Sequence, residues 1–449
     1  MKIRGIGICP PSGAQSNSSV TPELLASCLA RYSRSNKGID SILQSIDWNN
    51  PDKSVDAIFK FVDYGHASIT GMTGGIAIVI DGCSMFLAYK LFEIAQLCDG
   101  QESSTRYIKL DKSSLETADS LGIPQELQSE WESIMDQAFT IYHDLYEKLD
   151  KQIQDNPNLI HYPSGSSPKV IERLQKNYAL DRSRYFIPFA TKTNAAFVMT
   201  ARVWADTIKQ LESIPLKEAH ECAEGIRKEL AKFVPRMVKH SYADKASEAQ
   251  TKLAFDLPVN LIKQNGVNTG NIKSEVYVQT ECQWPSFIPE TGISDSFIGK
   301  VNRYSLTGNN IRRTFVRAAW NNMAIAELRD LNRHRSGYRF SPLYPQGFYL
   351  PDGVEHKDRE NLLNRQKAFL EKLVQTDSPY TYVYGLFLGT QVCFEHSTHL
   401  DKFIYEIELR TGSGAHFRYA EHLYDAYKKL IEKIPDLKAH IQIGTAEPE

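Results

Sequence analysis

Arg333-His334-Arg335 puts two guanidiniums and an imidazole on three consecutive residues. Guanidiniums offer planar, paired donors that match phosphate oxygens, so the triplet points to a phosphorylated ligand. The plainer alternative is three cationic or near-cationic groups that only stabilise a helix C-terminus. Eight arginines fall between Arg303 and Arg339 in a chain of formal charge −2, which favours the ligand. A second stretch, Gln101-Glu102-Ser103-Ser104-Thr105-Arg106-Tyr107, packs hydroxyls, a carboxylate, a guanidinium and a phenol into one loop. Such a loop suits a nucleotide, with hydroxyls and backbone N–H at phosphate and Arg106 as counter-charge; a polar surface cap is the alternative. Gly65-His66-Ala67-Ser68 precedes an apolar run, and a single histidine of this kind is more often structural than functional. Glu395-His396-Ser397-Thr398-His399 has histidines at i and i+3, which could hold a metal from one helix face. No third ligand stands at a telling distance, so no metal is expected.

Elements must position these groups. Residues 125–153, 195–212 and 216–239 read as amphipathic helices, as do 309–332 and 400–434. The run Gly74 to Ile80 reads as a buried strand. Residues 253–257 and 275–279 read as short strands, with turn chemistry at Asn265-Gly266 and Thr269-Gly270-Asn271. Two stretches share one design. Met85, Ala88, Leu91 and Ala95 mark a helix face running into the Gln101 loop, and Phe315, Ala319, Met323 and Ala326 mark another running into Arg333-His334-Arg335. That spacing, roughly 230 residues, points to an internal duplication, although helix-then-loop is common by itself.

Composition narrows the classes. The 449 residues suit two or three domains, and 42% hydrophobic with 24% charged residues describes an ordinary globular chain. Fifty-two Lys and Arg against fifty-four Asp and Glu leave no basic excess, so no nucleic-acid partner is expected. Seven scattered cysteines without C-x-x-C spacing exclude a zinc ribbon and a disulfide framework, and fit a reducing cytoplasm. Met1-Lys2-Ile3-Arg4-Gly5 has no apolar stretch or cleavage motif behind it, and the run to Ile80 is far short of the ~20 residues that span a bilayer. A soluble cytoplasmic protein without membrane contact is the expectation.

Taken together, the motifs resemble the flavin-dependent thymidylate synthase family. That family carries G-H-x-S, then a strand, then a helix ending in R-H-R-x-x-S-x-N-E-x-S-x-R-Y. Gly65-His66-Ala67-Ser68 is similar to the first element, with Gly71-Met72 where Glu-His should follow. Gln101-Glu102-Ser103-Ser104-Thr105-Arg106-Tyr107 is similar to N-E-x-S-x-R-Y, but Ile94-Ala95-Gln96 stands where R-H-R belongs. Arg184-Tyr185-Phe186-Ile187-Pro188 resembles A-R-x-x-L-P, and Thr200-Ala201-Arg202 resembles N-A-R. In the second half, Leu331-Asn332-Arg333-His334-Arg335 resembles Q-x-x-R-H-R, with Asp330 in place of Gln and no N-E-x-S-x-R-Y behind it. Leu409-Arg410 through Ala415-His416 resembles the L-R-x-x-x-x-A-Q helix, and His399-Leu400-Asp401 replaces its N-A-R. The losses in the two halves complement each other.

The resemblance implies an α+β, helix-rich fold with a small mixed or antiparallel sheet in each of two pseudo-repeats, 1–240 and 241–449. It implies reductive methylation of dUMP to dTMP with methylenetetrahydrofolate, FAD and NADPH. In that chemistry the flavin carries the difficult step and the protein positions and stabilises charge. His66, Arg333 and His334 would be catalytic. His66, Ser68, Arg202, Arg333, His334 and Arg335 would hold FAD. Gln101, Glu102, Ser104, Arg106, Arg184 and Arg410 would hold dUMP. Asp330 and Gly71-Met72 leave the base and the folate pocket open, so another pyrimidine nucleotide, or a non-catalytic flavin or nucleotide binder, are the alternatives. A homodimer pairing unlike halves would mimic the family's four-fold assembly.

Overall fold

The computed structural model describes residues 1–8, 21–32, 44–59, 71–106, 108–281, 285, 287–289 and 291–447. The chain divides into two compact units, one of residues 1–103 and 192–255, the other of residues 104–191 and 256–449. Both are helix-rich with a small antiparallel sheet. Residues 104–191, from the first half of the sequence, belong to the second unit.

The first unit holds strands β1 (Lys2–Ile8), β2 (Ile76–Ser84), β3 (Asp99–Glu102) and β4 (Lys192–Met199) in the order β1-β2-β4-β3. In β2, Ile76, Ile78 and Ile80 are fully buried at period two, as a β-branched strand with one covered face requires. A register shift between Asp81 and Cys83 coincides with Gly82 at φ 73°, the left-handed region that glycine enters without steric cost. Ser84 then caps the helix Met85–Ile94, accepting from the Leu87 N–H at 3.0 Å. The Ser84 hydroxyl is itself held by Glu218 at 2.7 Å.

The second unit holds β5 (Val276–Glu281), β6 (Phe315–Ala324), β7 (Tyr338–Phe340), β8 (Gly347–Phe348) and β9 (Thr390–His399). Its main order is β5-β6-β9-β7, with β8 also on β9. This repeats the first unit's order strand for strand. In both units a helix follows the second strand, and two helices follow the strand beside it: Ala201–Glu212 and Lys217–Ala231 after β4, Leu400–Arg410 and Phe417–Lys433 after β9. The 31-residue helix Gln125–Asp155 buries Trp131, Ile134, Ala138, Ile141, Leu145 and Leu149 at spacings of three and four. The Trp131 indole donates to the Tyr384 carbonyl at 3.0 Å.

Several sequence expectations need correction. Residues 315–324 form a strand, so Phe315, Ala319 and Met323 are not a helix face; the buried set is Val316, Ala318 and Trp320, at period two. Residues 195–199 end β4, and helix begins only at Ala201. Residues 253–257 lie inside the helix Lys245–Asn265, with Pro258 within it. The expected helix over 400–434 breaks between Arg410 and Phe417, and that over 216–239 ends at Ala231. Among the described residues no helix is long and apolar enough to cross a membrane, and Cys28, Cys83, Cys98, Cys222 and Cys393 are free thiols.

Candidate functional site

The second unit gathers Arg106, Arg184, Arg333 and Arg410 around the short helix Ile325–Leu331 and the turn behind it. Arg106 comes from the polar loop, Arg184 from the single turn Arg184–Phe186, and Arg410 from the end of the helix Leu400–Arg410. Residues on both sides of position 240 therefore meet within one chain.

Arg106 is fully engaged. Its Nε donates to Asp181 Oδ1 and its Nη2 to Oδ2, at 3.0 and 2.8 Å, which is a two-point ion pair. Its Nη1 donates to the Gly414 carbonyl and the Tyr419 hydroxyl, both at 3.2 Å. Ser104 accepts the Arg106 N–H at 3.2 Å and so shapes the loop locally.

Arg184 is buried. Its Nη2 meets Glu327 Oε1 at 3.5 Å and its Nη1 meets Asp330 Oδ2 at 3.8 Å, two carboxylates spaced i, i+3 on one helix face. Burial alone would lower its pKa, but Tyr185, Asp181, Glu327 and Asp330 raise it, so it is always charged. Burial pushes the Glu327 carboxyl up to about 7, against the pull of Arg184 and Arg418. Asp330 is also held by opposing effects: burial would raise it, and Arg333, Arg184, Arg410 and Arg106 together keep it below the usual carboxylate range. Arg333 Nη2 stands 3.9 Å from Asp330 with its side chain 22% exposed.

Arg410 donates from Nε to His334 Nε2 at 2.7 Å and from Nη2 to the Asp330 carbonyl at 2.9 Å, with its guanidinium over the Tyr419 ring. An arginine only donates, so His334 Nε2 carries no proton and the ring proton sits on Nδ1. Burial drives the His334 pKa down to about 3, opposed by Glu406 and reinforced by Arg410. Behind it, His396 Nδ1 lies 2.8 Å from Glu406 Oε2, and Nε2 lies 3.0 Å from the Ser336 carbonyl. A carbonyl only accepts, so Nε2 is protonated. Burial would raise Glu406, but His334 and His396 hold it down to about 2. His396 thus bridges β9 to the residue after Arg335. Its i+3 neighbour His399 is on the same strand, not on a helix, and odd spacing sends the two to opposite faces: His396 is buried and His399 exposed. Among the described residues no group of three or more His, Cys, Asp and Glu could hold a metal ion.

The other expected site residues are distributed otherwise. Arg335 is half-buried in the same turn. Gln101 and Glu102 sit on β3 and Arg202 on the helix Ala201–Glu212, all in the first unit; Gln101 is exposed and Glu102 buried. His66 and Ser68 lie outside the described residues. Sequence reasoning missed Asp181, Tyr185, Glu327, Glu406 and Tyr419. The one usable signal was Glu327, three residues before Asp330 on a helix whose other residues, apart from Arg329, are apolar.

Residues 17–236 match the model of the family described as thymidylate synthase complementing protein. A curated protein of Thermoplasma acidophilum, a UPF0159 protein, is 23% identical over 234 residues, covering 47% of this chain and 47% of that protein. The chain thus spans about half the length of that relative. A solved flavin-dependent thymidylate synthase from Helicobacter pylori, complexed with FAD and dUMP, is 15% identical, with 54% of this chain and all of that chain covered and a TM-score of 0.34. The matched residues 17–236, just under half of the chain, carry Arg106, Arg184 and Arg202, and over them the chain is similar to the thymidylate synthase complementing protein family.

Proposed function

We propose that the chain is a flavin-dependent thymidylate synthase-like enzyme that converts dUMP to dTMP with methylenetetrahydrofolate, FAD and NADPH. The observation that carries this reading is the cluster of Arg106, Arg184, Arg333 and Arg410 in one unit, with carboxylates at Asp181, Glu327 and Asp330. Four guanidiniums face three carboxylates, and burial pushes one of these, Glu327, up to about 7. A surplus of positive charge remains for a phosphate.

The residues present fit a flavin nucleotide in one respect that can be tested: Arg333 and Arg335 are both partly exposed, in the turn behind Asp330. Arg333, His334 and Arg335, together with His66, Ser68 and Arg202, would hold FAD. When bound, FAD supplies the hydride and relays the one-carbon unit. Around it the protein's own groups do simpler work. Arg184 gives a fixed charge, Arg410 keeps His334 neutral through its Nε donor, and Gln101, Glu102, Ser104 and Arg106 shape the nucleotide loop. His66, Arg333 and His334 are the proposed catalytic groups.

The repeated strand order supports a tandem duplication, with repeats 1–240 and 241–449 that have each kept part of one site. A cytoplasmic homodimer completes the proposal. Asp330, an acceptor-only carboxylate where the resembling motif has an amide, favours a second reading: C5 modification of another pyrimidine nucleotide. A flavin or nucleotide binder without turnover is the reading from a different class. The test is tritium release from C5-tritiated dUMP with FAD, NADPH and methylenetetrahydrofolate. Release supports the synthase. Flavin binding without release supports the alternatives, and a colourless protein that binds neither ligand removes all three.

A further inference from the structure

Glu327 and Arg184 form a buried pair with unused hydrogen-bonding capacity on both sides. Glu327 is 0% and Arg184 1% exposed. Glu327 Oε1 accepts from the Tyr185 hydroxyl at 2.9 Å and meets Arg184 Nη2 at 3.5 Å. Among the described residues Glu327 Oε2 has no hydrogen-bond partner, and neither has Arg184 Nε. A carboxylate oxygen left bare in a buried site is costly unless it takes a proton, and a bare guanidinium N–H is costly unless it meets an acceptor. One event satisfies both: an anion arrives at Arg184 and a proton arrives at Glu327.

We propose that Glu327 is a positioning residue that fixes Arg184 and takes up a proton at Oε2 when the arginine cluster binds an anion. The balance is simple. The anion brings negative charge to Arg184, the carboxylate that shared that guanidinium becomes a neutral acid, and the proton comes from solvent. No bond to the anion forms or breaks. The inference rests only on the anion-binding part of the proposed function, not on the reaction or the nucleotide base.

The groups facing Glu327 leave it as the one that titrates near neutrality. Arg184 and Tyr185 come from the turn Arg184–Phe186, and both pKa values are raised by their surroundings. Tyr349 is also pushed up, chiefly by burial, and Arg418 from the helix Phe417–Lys433 stays charged. Asp330 on Glu327's own helix is held low. His334 and His416 are both neutral, driven down first by burial. The Glu327 carboxyl itself lies at about 7, raised by burial.

Sulfate is the probe, because it keeps one charge across neutral pH whereas a phosphate monoester titrates near pH 6. Calorimetric titration of the full chain with sodium sulfate at pH 7, in buffers of different ionisation enthalpy, counts protons exchanged. Wild type should take up about half a proton per sulfate, and its affinity should fall toward about tenfold per pH unit above that point. Glu327→Gln should bind sulfate at least as tightly, with no uptake and no slope between pH 6 and 8. Tyr185→Phe keeps the carboxyl but removes a donor to its ionised form. Its uptake at pH 7 should shrink and its maximum should move to higher pH, so the test stands if Glu327→Gln misfolds. Uptake that persists in Glu327→Gln, sulfate binding to wild type without uptake, or no sulfate binding at all would each overturn the inference. Tritium release from dUMP is scored separately, so a failed synthase assay with intact proton uptake would sink only the proposed reaction.

Discussion

The guanidinium of Arg106 and the carboxylate of Asp181 lie in a two-point ion pair, 75 residues apart in sequence and inside one compact unit. The Asp181 side chain is 0% exposed and that of Arg106 12%. Removing one partner of such a pair leaves a buried charge uncompensated, which costs about 3–5 kcal/mol. Arg106→Ala should therefore lower the unfolding midpoint markedly, and Asp181→Asn in the same chain should restore part of the loss. A denaturant-melt double-mutant cycle measures this. If Arg106→Ala melted like wild type and lost only nucleotide affinity, Arg106 would serve the ligand rather than Asp181.

The Arg410–His334 hydrogen bond makes a prediction about pH. His334 lies at about 3 when folded and near 6.5 when unfolded, so it is neutral in both states above 6.5. Between about 6.5 and 3 the unfolded chain binds a proton that the folded one refuses, and stability falls by ~1.4 kcal/mol per pH unit on acidification. His416 and His422, also driven down by burial, add to the same limb. Glu406 acts lower: its folded value of about 2 is below the usual 4.5, so its contribution is full above 4.5 and lost from there to 2. His334→Gln should flatten the limb between pH 6.5 and 4.5 by one proton's share and also weaken the lower one, because His334 helps hold Glu406 down. Equilibrium melts across pH 4–8 measure the slopes, and equal slopes in the two proteins would mean that His334 titrates normally.

Much of this was legible in the sequence where one residue type carried the signal. Ile76, Ile78 and Ile80 announce β2, and Trp131 through Leu149 announce the long helix. β6 was hidden because its period-two set includes Ala318, while Ala319, Met323 and Ala326 happen to fall at helical spacing; pairing with β5 and β9 decides the conformation, and a pattern in one segment does not contain it. The site divides in the same way. Arg333-His334-Arg335 and the Arg106 loop are local and were found as motifs. Asp181 and Glu327 are common residue types whose roles come from partners 75 and 143 residues away.

Arg333 is a partly exposed arginine of the cluster, its side chain 22% accessible. It is 3.9 Å from Asp330 and partly exposed, beyond the length of a strong charge-assisted hydrogen bond. A hydrogen bond to a charged group is worth ~1.5–3 kcal/mol, so Arg333→Ala should weaken FAD binding about tenfold or more. Arg333 faces a side chain that is not fully buried, so the fold should tolerate the change. Flavin-fluorescence titration reads the effect. Unchanged flavin affinity in a folded Arg333→Ala chain would take the Arg-His-Arg turn out of the flavin site.

The last prediction concerns stoichiometry. Each half of the chain is missing part of the resembling motif: Ile94-Ala95-Gln96 replaces Arg-His-Arg in the first, and no Gln101-type loop follows Arg335 in the second. Four copies of a single-repeat site would correspond to two chains here, but the parts in hand amount to one set per chain. In the second unit the set is partly assembled without a partner, since Arg106 and Arg184 already meet Tyr419, Glu327 and Asp330. Flavin titration should therefore saturate near one FAD per chain. Light scattering should give about 100 kDa if the assembly is the proposed dimer of 50.9 kDa chains. The two measurements separate two ideas that the sequence had joined. Two FAD per chain would mean that both halves keep a site, against the complementary losses. One FAD per chain on a monomer would leave the composite site standing and remove the dimer, because the groups from unlike halves would then meet in one chain alone.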